Sequence, residues 1–377
     1  MADPVLVVIF LRGGADALNI VSPTGDADYI AARPADLRVA RAGDSAGVKL
    51  GDGLADVDFR LNPLAGELGE LFTAGDLSVV HATGLIEATR SHFDAEARIE
   101  RASTGVGDGG WLGRWLNATN PAGALPALAV GTNMPESLRG SRAAVAPEIE
   151  ELALMPGHWL SPALRARLAA GFGDHGDLGA TTQDLLMLSD TLQGRFWAPD
   201  GGNYRGYAAD VDYPENALSG PMMTVAQAIK ADLGMRVATV DYGGWDTHAD
   251  QNGAFNGLLR GLSQTLMAFW RDLGPRQQDV SVVVMSEFGR RLRSNASGGT
   301  DHGRAGAMLV LGPQARGGRL LGKWPGLAND ALEEGADLAV TTDYRAVLAE
   351  ILSGHMKTTD TSAIFPDLTA TPVGLFT

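Results

Sequence analysis

Two short segments in the C-terminal half carry residues whose types and spacing suit metal chemistry. They are Asp241-Tyr242-Gly243-Gly244-Trp245-Asp246-Thr247-His248 and Ser286-Glu287-Phe288-Gly289-Arg290. Each follows an apolar, β-branched run, Val237 to Val240 and Val280 to Met285, so each places oxygen and imidazole ligands at the C-terminal end of a strand. A third cluster, Thr300-Asp301-His302-Gly303, follows shortly after. Open α/β sheets bind ligands in the crevice outside the carboxyl ends of their strands. Carboxylate oxygen and neutral imidazole converging there suit a divalent metal. Asp246 and His248 lie two apart, so on extended backbone both side chains can face one side.

Each residue also has a plainer role. Glu287, at the end of a buried strand, needs a partner because an unpaired buried carboxylate is costly. It is either a metal ligand or the salt-bridge partner of Arg290 or Arg291. Asp301 is either a ligand or the group that orients the His302 ring. The turn Arg12-Gly13-Gly14-Ala15-Asp16 leaves the first apolar run. Asp16 is either a ligand at the same sheet edge or a helix N-cap, and Arg12 is a counter-charge for Asp16 or for a substrate anion. In Arg90-Ser91-His92-Phe93-Asp94, Ser91 and Asp94 fit a capping box. A helix N-terminus also favours anions, and a hydroxyl there beside a metal can act as a nucleophile. His81 and His92 could serve the same site, although lone histidines are more often structural. His158, His175 and His355 lack matching carboxylates and are read as surface or packing residues.

The elements that position these groups follow from periodicity. Valine-rich runs at Val5 to Leu11, Leu77 to His81, Ala127 to Val130, Val237 to Val240, Val280 to Met285 and Met308 to Leu311 read as buried, mostly parallel strands. Helical patterns lie between them; Leu258, Leu262, Leu266, Phe269 and Trp270 share one face of a long amphipathic helix. This alternation predicts one doubly wound α/β domain over residues 1–377, a mostly parallel sheet flanked by helices. The stretch of about 131–216 breaks the pattern and reads as a helical insertion or cap. A last helix is expected from Asp343 to Ser353, N-capped by Asp343.

Composition narrows the function further. The net charge of -15 argues against a nucleic-acid backbone as partner. The absence of cysteine removes disulfides, thiolate ligands and cysteine nucleophiles. No apolar run approaches the roughly 18 residues needed to span a bilayer. Val5 to Leu11 lacks a preceding basic region and reads as a strand, not a signal peptide. There is no G-x-G-x-x-G, P-loop or G-x-S-x-G motif, which leaves little support for nicotinamide or α/β-hydrolase chemistry.

Taken together, Phe10 to Asp16, Arg90 to Asp94, Gly243 to His248, Ser286 to Arg290 and Thr300 to Gly303 resemble a bacterial family of unknown function, commonly described as sulfatase-like. That family is typically exported through a twin-arginine signal and is similar to the alkaline phosphatase and sulfatase superfamily. The resemblance implies an alkaline phosphatase/sulfatase-like fold and metal-dependent hydrolysis or transfer of phosphate or sulfate esters. It implies metal ligands at Asp16, Asp246, His248, Glu287 and His302, with Ser91 as nucleophile; Asp301 stays a ligand candidate on the residues alone. Arg12, Arg90 and Arg290 would hold the anionic oxygens. The ion would be Zn, Mn, Mg or Ca, the substrate an anionic ester that is carbohydrate- or lipid-linked, and the location periplasmic. Phe288 departs from the superfamily's strand-end Asp-His pair, which favours a single metal or a decayed site. The alternative is a catalytically silent cell-envelope binding protein that keeps the fold.

Overall fold

The computed structural model describes residues 3–43, 45–103, 109–158, 160–173, 175–198, 203–313, 315–369 and 371–376. Nine strands form the main sheet: β1 (Val5–Leu11), β2 (Leu77–Gly84), β3 (Ala127–Val130), β4 (Ala144–Ala146), β5 (Val237–Tyr242), β6 (Val280–Met285), β7 (Gly306–Leu311), β8 (Leu320–Leu321) and β9 (Thr342–Asp343). Their spatial order is β8-β2-β7-β6-β1-β5-β3-β4, with β9 also paired to β2. β1 lies at the centre, parallel to both β5 and β6. β7 runs against both its neighbours, β6 and β2. The expected mixed α/β architecture, a mostly parallel sheet flanked by helices, is what the chain adopts.

The reason is visible in β1, where all seven residues are buried. Val5, Val7, Ile9 and Leu11 join one apolar core with helices α1 (Gly66–Ala74), α6 (Ser219–Lys230) and α7 (Gln251–Leu273). Leu6, Val8 and Phe10 join the other with α2 (His92–Arg101), α3 (Trp111–Thr119) and α8 (Tyr344–Gly354). A strand covered on both faces has no use for polar alternation, so it reads as a continuous apolar run. Each buried Val, Leu or Ile contributes about 1.5–3 kcal/mol of transfer free energy. The strand ends are therefore anchored on a rigid layer.

The stretch read as an insertion holds two mutually packed helices, α4 (Ser161–Phe172) and α5 (Gly176–Phe196). It also contributes the edge strand β4, which sequence periodicity did not reveal because three residues are too few to show a period. The short strands β8 and β9 escaped for the same reason. α8 starts one residue after its expected cap, and Asp343 accepts the Arg345 N–H as an N-cap should.

Topology brings the chemistry to one edge. Leu11 pairs with Tyr242 and Phe10 with Met285, so the turns leaving β1, β5 and β6 emerge side by side. β2 ends at that edge too, delivering the loop to α2. Because β7 runs the opposite way, the segment leading into it, with Asp301 and His302, also lies there.

Candidate metal centre

The turn out of β1 must pass very close to its neighbours. Gly13 and Gly14 have φ of +121° and +66°, and a Cβ on them would come within 2.4 Å of the Asp246 nitrogen and the Phe288 ring respectively. Only glycine fits, and this closeness lets the Gly13 N–H donate to Glu287 Oε1 at 2.8 Å.

Three histidines converge over this turn. His302 Nε2 lies 2.9 Å from His92 Nε2 and 2.8 Å from His248 Nε2. Asp246 Oδ1 is 3.1 Å from the Nε2 atoms of both His302 and His248, and 3.5 Å from that of His92. His92, Asp246 and His302 each offer a ligand atom within 4.8 Å of the others.

The outer nitrogens decide what the inner ones are. His302 Nδ1 sits 2.8 Å from the carbonyl oxygen of Arg90, which only accepts, so Nδ1 carries the proton. His92 Nδ1 is 2.7 Å from Glu287 Oε1 and His248 Nδ1 is 3.1 Å from Asp301 Oδ1. Burial opposes ionisation of Glu287, yet its hydrogen bonds, His92 foremost, hold it below the usual carboxylate range. The Asn295 amide does the same for Asp301, so both are carboxylates and both accept. In the neutral rings all three Nε2 atoms then present lone pairs to one another and to the Asp246 oxygen. Acceptors at these separations repel unless a cation or an added ring proton lies among them, and the hydrogen bond to Glu287 raises the proton affinity of His92. This donor set, with each ring held from behind by a carboxylate or carbonyl, could hold a divalent metal ion. Burial works against the charged form of Asp246, but Arg290, hydrogen-bonded at 2.6 Å, prevails and holds the carboxyl down at about 2.

Several expectations are corrected. Asp16 does not join this cluster: its oxygens accept from Arg33 at 2.5 and 2.9 Å and from Gln251 at 2.7 Å, in a buried pair. A carboxylate enclosed this way needs its cation, and Arg33, seventeen residues on, supplies it. Glu287 is neither a salt-bridge partner of the adjacent arginines nor directed at the three Nε2 atoms. Its oxygens serve Gly13, His92 and Ser286, so it acts through the His92 ring. It does belong to a second grouping of ligand atoms, His92, Glu96 and Glu287. Asp301 orients His248, not His302. Arg290 is fully buried and donates to the carbonyls of Gly13, Gly14, Trp245 and Thr300 as well as to Asp246, which leaves it nothing for a substrate. Arg12 is bound by Glu100, Asp241 and Glu96.

Ser91 is the residue before α2, exposed, and its side chain makes no cap hydrogen bond. The expected capping box does not form, because Asp94 instead pairs with Arg98 one turn on. In the chain Ser91 stands between Arg90, whose carbonyl holds His302, and His92 itself. His92 is the site residue that sequence reasoning undervalued; its signal was a histidine one residue past a strand-to-helix Ser. His81 is structural: buried, bonded to the Val21 carbonyl, and packed on Phe59 and Trp324. His355 is also buried, against the Val5 carbonyl. Phe288, in the place of an expected ligand, packs its ring 4.9 Å from the rings of both His92 and His302 and backs the centre with an apolar surface.

No helix among the described residues is long and apolar enough to cross a membrane. No curated protein matches the chain. Among solved structures it is similar to Ps i-CgsB in complex with k-i-k-neocarrahexaose, with TM-score 0.39, 11% identity, and coverage of 99% of this chain and 75% of that one. It is similar to the lipoteichoic acid synthase LtaP from Listeria monocytogenes, with TM-score 0.40, 8% identity, and coverage of 97% and 75%. It is also similar to alkaline phosphatase from the Antarctic bacterium TAB5, with TM-score 0.36, 10% identity, and coverage of 86% and 95%. A family model described as protein of unknown function (DUF1501) matches residues 205–368, the part of the chain that bears Asp246, His248, Glu287, Asp301 and His302.

Proposed function

We propose that this protein is a metal-dependent hydrolase or transferase of phosphate or sulfate esters, with His92, Asp246, His248 and His302 holding the ion. The observation that carries the metal is the meeting of three imidazole Nε2 atoms and a carboxylate oxygen at 2.8–3.5 Å, all acceptors when the rings are neutral and protonated on Nδ1. Three imidazoles favour Zn, with Mn next, over Mg and Ca, which prefer all-oxygen shells. When bound, such an ion stabilises negative charge on the non-bridging oxygens of an ester. The chain's own residues do the rest. Glu287, Asp301 and the Arg90 carbonyl keep each ring's proton on Nδ1. Phe288 excludes water from beneath two of the rings. Ser91, exposed and free of a capping bond, is the candidate nucleophile at the start of α2, where main-chain N–H groups favour an anion.

The ester chemistry rests on the motif resemblance together with that serine. A carbohydrate- or lipid-linked substrate and a periplasmic location belong to the same reading. A second reading, an envelope protein that binds without turnover, is favoured by one observation: Arg12, Arg90 and Arg290 are all paired with acids and so are not left to grip an anion.

The test is metal analysis of the purified protein followed by titration with Zn, Mn, Mg and Ca, and a screen of aryl phosphates and sulfates. Stoichiometric Zn or Mn with turnover supports the proposal. No binding of any of the four ions refutes the metal centre, and binding without turnover selects the second reading.

A further inference from the structure

The loop from β2 to α2 supplies both His92 and the carbonyl that fixes His302, yet residues 86–88 of that loop are exposed. Something else must hold it. The segment 333–337 does so with three acids. Glu333 accepts from Arg304 at 2.7 Å, and the other Arg304 nitrogens donate to the Ile86 and Glu87 carbonyls at 3.0 Å each. Glu334, well exposed, pairs with Arg90. Asp337, fully buried, accepts from Arg90 Nε at 2.9 Å and from its Nη2. On its other side Asp337 faces Arg291 at 3.5 Å, whose main-chain N–H donates to the Asp301 carbonyl at 3.0 Å. One enclosed carboxylate thus stands between two arginines whose backbones grip the Asp301-His302 pair from either side. Among the described residues Asp337 touches no candidate ligand atom; its side chain meets Arg90 and Arg291.

We propose that Asp337 is a positioning residue that sets the tautomer and orientation of His302 through Arg90. With the carboxylate in place, the Arg90 carbonyl stays 2.8 Å from His302 Nδ1 and keeps the Nε2 lone pair turned toward Asp246 and His248. Without it the Arg90 side chain, 30% exposed, turns to water and the loop loses its buried anchor. The His302 proton is then free to move to Nε2, where it blocks coordination.

The substitution Asp337→Asn tests this, being equal in size and able to keep the main-chain bonds of the segment. Two readouts apply to chelator-stripped protein. Titration with Zn alone is expected to show about 10–100-fold weaker binding in the variant, the usual effect of losing a group behind a ligand. Imidazole nitrogen NMR is expected to show His302 protonated on Nδ1 in the wild type and mixed between the two nitrogens in the variant. Glu334→Gln, which breaks an exposed pair of little weight, should change neither. The affinity readout rests on the metal-centre reading, whereas the tautomer readout does not. If the wild type binds no Zn, that reading fails and NMR alone decides the role of Asp337. A variant with wild-type affinity and tautomer overturns the proposal, as does a Glu334→Gln effect equal to that of Asp337→Asn. Should Asp337→Asn fail to fold, Arg90→Lys retains the charge but not the two-point donor. It should show the same losses, and wild-type behaviour there would overturn the proposal.

Discussion

Replacing His302 with alanine should separate metal binding from folding, because the two act on this side chain with opposite signs. On the proposed metal centre, the ring is a ligand in metal-loaded protein. A ligand at about 1,000 times its Kd adds about 4 kcal/mol to apparent stability. An unfolding entropy of about 2.1 cal/mol/K per residue gives about 0.8 kcal/mol/K for this chain, so the loaded wild type should melt about 5 °C above the stripped form. In stripped protein the ring gives one hydrogen bond to the Arg90 carbonyl, about 1 kcal/mol, and contact with Phe288. Against that stand three acceptor contacts, at 2.8, 2.9 and 3.1 Å, that its removal relieves. The stripped variant should therefore melt within about 2 °C of the stripped wild type, and it should gain nothing when Zn is added. Calorimetry with and without chelator measures all four midpoints. The reasoning is refuted if Zn raises the variant as much as the wild type, or if stripping leaves the variant just as far below the wild type as loading does.

Two further outcomes follow from the same geometry. Ser91→Ala should cost less than about 0.5 kcal/mol, below the usual 0.5–2 for a capping serine, because its side chain caps nothing. It should also lower ester turnover by orders of magnitude; a folded variant with normal turnover would remove Ser91 from the chemistry. His81 is held neutral by burial, its pKa pushed down to about 4, so the unfolded chain takes up this proton first as pH falls. Stability is thus complete above about pH 6.5 and declines toward pH 4, by something on the order of 3 kcal/mol. Denaturant titrations at stepped pH should show His81→Gln flattening that slope, and an unchanged slope would assign the loss elsewhere.

The sheet was legible because its strands are buried on both faces. Ala127–Val130 and Val280–Met285 were read with their observed bounds, and β5 and β7 fell short by only two residues at one end. The clusters that meet at the candidate site were legible as strand-end motifs, since turns after parallel strands share an edge. Partners were another matter. Nothing local says that Arg33 would claim Asp16, that Glu100 would claim Arg12, or that four carbonyls would absorb Arg290. Charge balance in a crowded crevice is settled by segments far apart in sequence. His92 was named but undervalued for the same reason, as its meaning depends on Glu287 behind it and on two histidines in front.

That dispersal has a consequence for how the protein matures. His92 is 195 residues from Glu287 and 210 from His302, while Gly13 is 274 from the glutamate it braces. Contacts of such separation form only after the intervening chain has closed its loops, and closure is slow when pairing is non-local. A chain emerging from the ribosome can form the Asp16–Arg33 pair early, but the three imidazoles cannot meet until β7, whose lead-in carries His302, has been synthesised and has docked beside β6. An ion captured by this centre would therefore report that the sheet is already assembled, and nascent or truncated chains would compete poorly for scarce metal.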